Sequence, residues 1–190
     1  MGRLMVGMGE IGVMHPRNAG IVTALGTFGA SPCIILGIQK GTTALLAHIH
    51  RANNLDLVMQ QVSDILGDAL PPNATARAFI TTETYTGKTL DDAEVQNVMI
   101  NYLEQNLIRL GIRLIEKNTG KSAALITYEG YNLADDKAFM FGDQEIQDII
   151  KWTIAYDKRF QGRTGQLPMA IRVGINFEDP EVAVRRLYRM

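Results

Sequence analysis

The sequence predicts one domain of mixed α/β class, either α+β or a layered α/β sandwich. Short apolar runs bounded by Gly and Pro fill the first fifty residues, and this pattern is typical of strands. Two later segments repeat apolar residues at i, i+3, i+4 and i+7, the pattern of a helix with one buried face. Because the predicted strands and helices do not alternate strictly, the sequence does not predict a simple series of βαβ units.

Four strands are predicted before residue 51. The apolar runs that predict them are Met5–Met14, Gly20–Phe28, Cys33–Ile38 and Thr43–His50. Lys40-Gly41 supplies the turn between the last two runs. Two of the four runs are apolar enough to predict strands that are buried on both faces.

The first predicted helix begins after Asn53 or Asn54, since either side chain can cap it, and ends at Gly67 before Pro71-Pro72. Its predicted apolar face consists of Leu55, Val58, Met59, Val62, Ile65 and Leu66. The segment Ala76–Thr86 is rich in Thr and aromatic residues and therefore predicts a further strand.

A second helix is predicted to begin near Asp91, where Glu94 three residues later resembles a capping box, and to end at Gly111. Two strands follow, over Ile112–Glu116 and Ser122–Tyr128, with a polar turn between them. Neighbouring strands joined by a short turn are expected to form a β-hairpin.

The section after Gly130 predicts a helix over Asp143–Phe160, a strand over Met169–Ile175 and a final short helix over Pro180–Tyr188. The sequence contains no internal repeat, no low-complexity tract and no linker long enough to mark a domain break. We therefore expect this section to pack on the same domain as the residues before it.

Composition excludes several classes of function. The chain has 190 residues, 46% of them apolar, and a formal net charge of −1, so no basic excess indicates nucleic acid or an anionic membrane. No apolar run reaches the roughly 18 to 20 residues needed to span a bilayer, and no signal peptide is expected. One Cys and three His allow no internal disulfide and make a metal site poorly supported. A reducing, cytoplasmic location is expected.

Cys33 and His48 are the candidate catalytic pair. An imidazole beside a thiol can lower the thiol pKa and produce a strong nucleophile. On composition alone, a lone Cys in an apolar stretch is usually an inert core residue, and a His on an apolar strand is usually a core His. By strand alternation His50 has the same facing as His48, so His50 is an alternative proton shuttle.

The order of several segments resembles the chemoreceptor glutamine deamidase family (CheD). The resemblance covers about residues 5 to 130, and the ordered series, rather than any single motif, is what carries it. The matching segments are Val6–Val13, Ile21-Val22-Thr23, Gly26–Cys33, Ala47-His48, Gln96-Asn97-Val98 and Leu110–Gly120.

This resemblance implies a layered α/β/α sandwich, of the kind shared with cytotoxic-necrotizing-factor-like deamidase toxins. Residues 1–130 would form the catalytic domain and residues 131–190 a C-terminal extension packed on it. The implied reaction is hydrolysis of a protein glutamine side chain to glutamate and ammonia, in chemotaxis, on a partner such as a chemoreceptor helix. The implied catalytic residues are Cys33, His48 and a Thr, which is Thr27 by its spacing to Cys33 or Thr23 by its local Val-Thr pattern. No cofactor or metal is implied.

The sequence departs from the family pattern in three places. Ser31-Pro32 replaces Gly-Ser before the Cys, which removes one backbone N–H near the nucleophile. Gln96-Asn97 stands where the family has Arg-Asn, and the strand end Ile80–Thr84 lacks the family's Gly-Gly-Ala. The substrate therefore need not be a chemoreceptor.

The expected chemistry is attack of Cys33 on the amide carbonyl, with His48 holding the thiolate and later protonating ammonia. A Thr hydroxyl would orient the imidazole, and backbone N–H groups at Ser31 and Cys33 would stabilise the oxyanion. Two alternatives remain open at this point. One is a non-catalytic protein-binding module on the same fold, and the other is an amidohydrolase that acts on asparagine, on a terminal residue or, like a toxin, on another protein.

Overall fold

In a computed structural model, residues 2–14, 22–84, 90–135 and 170–174 of the chain are described. They form ten strands and two helices. The strands are β1 (Gly2–Met5), β2 (Glu10–Met14), β3 (Val22–Thr27), β4 (Ile34–Lys40), β5 (Thr43–Ile49), β6 (Ala76–Thr81), β7 (Arg113–Asn118), β8 (Ala123–Ile126), β9 (Tyr131–Ala134) and β10 (Ala170–Gly174). The helices are α1 (Leu55–Gly67) and α2 (Leu90–Arg109).

The strands form two sheets. The larger sheet has six strands in the order β10-β2-β5-β4-β6-β7, and only its β6–β7 pair is parallel. The smaller sheet has four strands in the order β1-β3-β8-β9, in which β1 and β3 run parallel. Consecutive strands β4 and β5 lie at the centre of the larger sheet and place the segments around Cys33 and His48 side by side.

Two hydrophobic cores lie on the two faces of the six-stranded sheet. On one face, alternate residues such as Ile34, Leu36 and Leu45 pack with the apolar sides of α1 and α2. On the other face, the intervening residues, such as Ile35 and Leu46, pack with the four-stranded sheet. The central strands β4 and β5 are consequently buried on both faces, and two such strands were predicted among the first four.

The predicted mixed α/β class is confirmed, whereas the layer order differs from the expected α/β/α sandwich. In the described part of the chain, the order is helices, six-stranded sheet, four-stranded sheet. The second face of the larger sheet is covered by strands because β3 and β8 each present an apolar row, which includes Leu25, Ala124 and Ile126. Sheet-on-sheet packing buries this row as a helix layer would.

Helix α1 begins where the sequence predicts, and the structure distinguishes between its two candidate caps. The Asn54 side chain accepts hydrogen bonds from the backbone N–H groups of Asp56 and Leu57, so Asn54 is the N-cap. The Asn53 side chain instead accepts from the backbone N–H of His50 at 2.6 Å. Asn53 therefore fixes the turn that follows β5, directly beyond His48.

The predicted hairpin between Ile112–Glu116 and Ser122–Tyr128 is wrong. Strand β7 pairs in parallel with β6 in the larger sheet, whereas β8 pairs with β3 and β9 in the smaller one. The burial patterns explain the separation, since β7 alternates between exposed and half-buried residues while β8 is mostly buried. The chain thus passes from β7, an edge strand of the six-stranded sheet, to β8, which is mostly buried in the four-stranded sheet.

Of the predicted strand Met5–Met14, the part Glu10–Met14 forms β2, and Met5 is the last residue of β1. The glycines between β1 and β2 allow a turn, in which Gly9 has a φ of 76° and the Glu10 carboxylate accepts from the Gly7 N–H at 2.7 Å. The strand predicted over Ala76–Thr86 ends at Thr81. The turn before β2 and the end of β6 at Thr81 both lie beside the candidate site.

The section after residue 130 contributes to both sheets. Strand β9 pairs with β8, and β10 pairs with β2 in an antiparallel register, with Val173 opposite Ile11. The helices predicted over 143–160 and 180–188 lie outside the described residues. Among the described helices, neither is long and apolar enough to cross a membrane.

Candidate active site

His48 lies on β5 with its side chain between the two sheets. Its neighbours in register are Glu10 on β2 and Ile35 on β4, and its backbone carbonyl accepts from the Gly9 N–H at 2.8 Å. The side chain is only 3% exposed. Residues directly opposite one another share a face of the sheet, so Glu10, His48 and Ile35 face the four-stranded sheet.

Thr27 is the threonine that contacts this imidazole. Its Oγ1 lies 2.7 Å from Nδ1 of His48 and also donates to the backbone carbonyl of Val6 at 2.7 Å. A hydroxyl has one proton, and a carbonyl oxygen can only accept. The proton of Thr27 is thus committed to Val6, and Thr27 accepts a hydrogen bond from Nδ1–H of His48.

This arrangement fixes the tautomer of His48. Since Nδ1 carries the proton, Nε2 has the free lone pair of a neutral imidazole. Nε2 is buried and has no hydrogen-bond partner among the described residues. An oriented imidazole with an unshared lone pair on its second nitrogen is the form that a general base requires.

Cys33 immediately precedes β4 and lies on the same side of the larger sheet as His48. In the β4–β5 ladder Ile35 is opposite His48, and alternation places Cys33 on the same face as Ile35. Cys33 and Ile35 both belong to the hydrophobic core between the two sheets. Cys33 is therefore a diagonal neighbour of His48, a relation that in antiparallel sheets corresponds to Cβ atoms about 7–8 Å apart or somewhat less.

The thiol and the imidazole are both neutral near pH 7 in this conformation. Burial raises the pKa of the Cys33 thiol to about 11. Burial, and secondarily the charge of His50, lowers the pKa of His48 to about 4, while Glu10 opposes this shift. The thiolate expected from the sequence stays a prediction, and burial opposes it in this conformation, because Cys33 is only 2% exposed and desolvation favours the neutral form of the thiol.

The other predicted site residues have distinct places. Thr23 lies four residues before Thr27 on β3, so the two are about 13 Å apart along the strand, and only Thr27 contacts His48. The Ser31 N–H donates to the Gly29 carbonyl at 2.9 Å and is occupied within its own turn. His50 lies one position beyond the end of β5, and its Nδ1 accepts from the Ala52 N–H at 3.1 Å. His50 therefore carries its proton on Nε2 when neutral.

Thr82 and Gln96 form a buried polar network next to Cys33 that the sequence analysis did not predict. The Thr82 hydroxyl donates to the Cys33 carbonyl at 2.7 Å, and Nε2 of Gln96 donates to Thr82 Oγ1 at 2.6 Å. A signal for Gln96 was present in the sequence. It occupies the apolar face of α2 together with Met99, Ile100 and Leu103, and a polar residue in such a row needs a buried partner.

The site and the layered fold together define a mixed α/β protein with a buried cysteine, histidine and threonine cluster between two sheets. No protein-family model matches the chain, and no curated protein matches it at a significant level. Over the ranges that the structure describes, no group of three or more His, Cys, Asp and Glu side chains is arranged to hold a metal ion.

Proposed function

We propose that this protein is a thiol-dependent amidohydrolase that converts a protein glutamine side chain to glutamate and ammonia. The observation that carries the proposal is the Thr27–His48 hydrogen bond, which orients the imidazole and leaves Nε2 with a free lone pair on the side of the sheet that holds Cys33. The ordered resemblance to the chemoreceptor glutamine deamidases supports the same Cys, His and Thr.

In the first half of the reaction, His48 Nε2 takes the proton of the Cys33 thiol as sulfur adds to the side-chain carbonyl carbon of glutamine. The carbonyl electron pair moves to oxygen and forms the oxyanion. When the tetrahedral intermediate collapses, the carbon–nitrogen bond breaks and Nε2–H gives its proton to the departing ammonia. The product is a thioester between Cys33 and the substrate glutamyl group.

In the second half, His48 Nε2 takes a proton from water while the water oxygen attacks the thioester carbon. The carbon–sulfur bond then breaks, and Nε2–H returns the proton to sulfur, which restores the neutral thiol and releases glutamate. Thr27 holds Nδ1 throughout and stabilises the imidazolium that forms in each half. The step needs no metal or organic cofactor, because the imidazole performs each proton transfer.

The burial of Cys33 gives this mechanism a further requirement. Because both reacting groups are almost fully shielded from solvent, a substrate side chain has to displace part of the surrounding surface before sulfur can reach it. The mechanism therefore proceeds by general-base removal of the thiol proton in the substrate complex, not from a thiolate preformed in the free enzyme.

A second candidate function is a non-catalytic protein-binding module, and the raised pKa of the buried thiol favours it. On this hypothesis Cys33 and His48 are core residues and the surface alone binds a partner. A partner protein with an exposed glutamine, a cytoplasmic location and a role in chemotaxis remain part of the deamidase proposal, on the strength of the resemblance.

The two functions are separated by ammonia release. We propose to incubate the protein with the dipeptide carbobenzoxy-Gln-Gly and, separately, with α-casein, and to confirm the conversion of glutamine to glutamate by a mass increase. The deamidase proposal expects ammonia release that Cys33→Ala and His48→Ala abolish. His50→Gln is the matched control, because it changes the neighbouring imidazole and is expected to keep most of the activity.

The asparagine-directed alternative is tested by the corresponding dipeptide, carbobenzoxy-Asn-Gly. Activity on asparagine alone would replace glutamine as the substrate. Activity that survives in Cys33→Ala would contradict a thiol mechanism. Absence of ammonia release from all three substrates, together with a wild-type thiol that no glutamine-like electrophile modifies, would favour the binding module.

A further inference from the structure

Gln96 is a buried polar residue that the reaction described above does not use. It is 4% exposed and lies on the apolar side of α2. The two protons of its Nε2 are shared among three acceptors within hydrogen-bond distance, which are Thr82 Oγ1 at 2.6 Å, the Glu83 carbonyl at 3.2 Å and the Pro32 carbonyl at 3.3 Å. Because two of these acceptors are carbonyl oxygens, the NH2 end of the amide faces both Pro32, directly before Cys33, and the Thr82-Glu83 segment.

Thr82 extends the network to the nucleophile. Its side chain is fully buried and accepts from Gln96. Its own proton has its shortest contact with the Cys33 carbonyl, at 2.7 Å. Gln96 and Thr82 together thus hold the carbonyl before the Cys33 α-carbon and the carbonyl after it.

Peptide geometry converts these contacts into control of the Cys33 N–H. The Pro32 carbonyl and the Cys33 N–H belong to one planar peptide unit. The cis bonds among the described residues are Ser31-Pro32 and Leu70-Pro71, so the Pro32–Cys33 bond is trans and its N–H points opposite to its carbonyl. With the carbonyl directed at Gln96, the N–H of Cys33 is directed away from α2.

This orientation matters because the other candidate donors are lost. Pro32 has no N–H, and the Ser31 N–H is occupied by the Gly29 carbonyl. The N–H of Cys33 is thus the remaining donor of the two that the sequence indicated. An oxyanion-hole donor acts only if it is preorganised toward the developing charge.

We infer that Gln96 is a positioning residue that orients the Cys33 N–H as the oxyanion donor, acting through the Pro32 carbonyl and Thr82. This inference rests on the proposed function. It adds the residue that compensates for the backbone N–H missing at Pro32, directly before the nucleophile. It predicts that Gln96 affects steps that form an oxyanion and spares steps at sulfur that form none.

The experiment compares two probes of the single thiol. The first is a Gln-Gly dipeptide analogue in which an aldehyde replaces the side-chain amide. Sulfur adds to its carbonyl carbon, the thiol proton passes through His48 to the carbonyl oxygen, and the resulting hemithioacetal places that oxygen where the oxyanion forms. The second is iodoacetamide, in which a carbon–sulfur bond forms, the carbon–iodine bond breaks, iodide leaves and the thiol proton goes to water.

The main variant is Gln96→Met, which keeps a side chain of similar length and removes the donors, and the matched control is Gln105→Met at an exposed position of the same helix. We expect Gln96→Met to weaken aldehyde binding by about 10- to 100-fold, a part of the roughly 10²–10³ that one oxyanion donor supplies. Iodoacetamide labelling should stay within about twofold of wild type, and kcat for ammonia release should fall with little change in KM. The control should change none of these.

If Gln96→Met does not fold, Thr82→Val and Thr82→Ser test the same network, with loss expected for Val and recovery for Ser. Equal losses with both probes would show that Gln96 only supports the loop, and an unchanged aldehyde affinity would show that the N–H is not held by it. Either result overturns the inference while the deamidase proposal stands. A wild-type thiol that reacts with neither probe would instead overturn the proposed function.

Discussion

At the scale of single residues, the two ring nitrogens of His48 have opposite environments. A core histidine that serves only packing is expected to have both nitrogens satisfied, because an unmet buried polar atom costs about 1–3 kcal/mol. Nδ1 meets this expectation through Thr27, but the buried Nε2 does not. The unmet lone pair of Nε2, on the face of the sheet that also holds Cys33, is the feature from which the proposed general base is argued.

Thr27 supplies the first prediction. Replacing Thr27 with Val removes the acceptor for Nδ1–H, so the ring loses its fixed tautomer and orientation. We expect Thr27→Val to lower kcat for ammonia release by about 10- to 100-fold, which is a part of the roughly 10²–10⁴ that a general base contributes. Thr27→Ser keeps the hydroxyl and should retain activity within about threefold.

The tautomer gives an independent measurement for the same pair. Nitrogen NMR of the histidine rings should show His48 protonated on Nδ1 in wild type and in Thr27→Ser, and a mixture of tautomers in Thr27→Val. Full activity in Thr27→Val would remove the hydrogen bond from the mechanism.

Cys33 supplies the second prediction. Thiolate, not thiol, reacts with iodoacetamide, and the pKa of the folded thiol is raised to about 11. We expect the labelling rate of the folded protein to rise about tenfold per pH unit from pH 7 to 10, with no plateau near 8.5. The urea-unfolded chain, which carries the same single thiol, is the control and should level off above pH 9.

A plateau of the folded protein below pH 8 would show a preformed thiolate and would contradict the neutral pair. The general-base mechanism would then give way to the one expected from the sequence. The absence of any second cysteine makes the readout unambiguous.

At the scale of elements, the position of β4 depends on a close approach between strands. Gly37 on β4 faces Phe79 on β6, and a Cβ built at Gly37 would lie 2.2 Å from the Phe79 ring. That ring stacks on Tyr131 of β9 with centroids 4.5 Å apart. The Phe79 ring therefore packs between β4, the strand that follows Cys33, and β9 of the four-stranded sheet.

We expect Gly37→Ala to destabilise the protein by about 1–3 kcal/mol, because the ring has to leave its stacked position or the strands have to separate. Gly67→Ala is the matched control, since a Cβ at Gly67 meets nothing within 4 Å and alanine favours the helix end. Urea denaturation measures both changes. A Gly37→Ala midpoint equal to that of wild type would show that the sheets tolerate the added methyl group.

The same elements show what sequence alone could predict. Periodicity located β4, β5, α1 and α2 because the helix and strand periods are local properties of the chain. It failed for the β7–β8 hairpin, because the partner of β7 is β6, on the far side of a helix, and pairing partners leave no local pattern. The near-continuous apolar runs still predicted that two of the first four strands are buried on both faces, as β4 and β5 are.

The candidate site was likewise only partly predictable from the sequence. Cys33, His48 and Thr27 were accessible through residue type and resemblance, although spacing alone could not choose between Thr27 and Thr23. The state of the thiol was not accessible, because its pKa depends on burial by residues from several strands. Thr82 was missed for a similar reason, since its bond to Cys33 spans 49 positions.

At the scale of the whole molecule, two buried titratable groups link folding to pH. The pKa of His48 is lowered to about 4 in the folded state, so below the ordinary value near 6.5 the unfolded chain binds a proton that the folded protein does not. The pKa of Cys33 is raised to about 11, so above about 8.5 the folded protein keeps a proton that the unfolded chain loses. Stability therefore falls on both sides of a neutral plateau.

We expect the free energy of unfolding to be greatest between about pH 6.5 and 8.5 and to lose at most about 3 kcal/mol on each side through these two groups. Urea denaturation from pH 4.5 to 10.5 measures the profile. His48→Gln should flatten the acid side relative to wild type, and Cys33→Ala should flatten the alkaline side. Since each variant removes one titrating group, the difference between its profile and that of wild type isolates that group from the carboxylates and lysines. Parallel profiles for wild type and both variants would mean that the two side chains titrate normally. That result would contradict a buried site in which both the thiol and the imidazole are neutral.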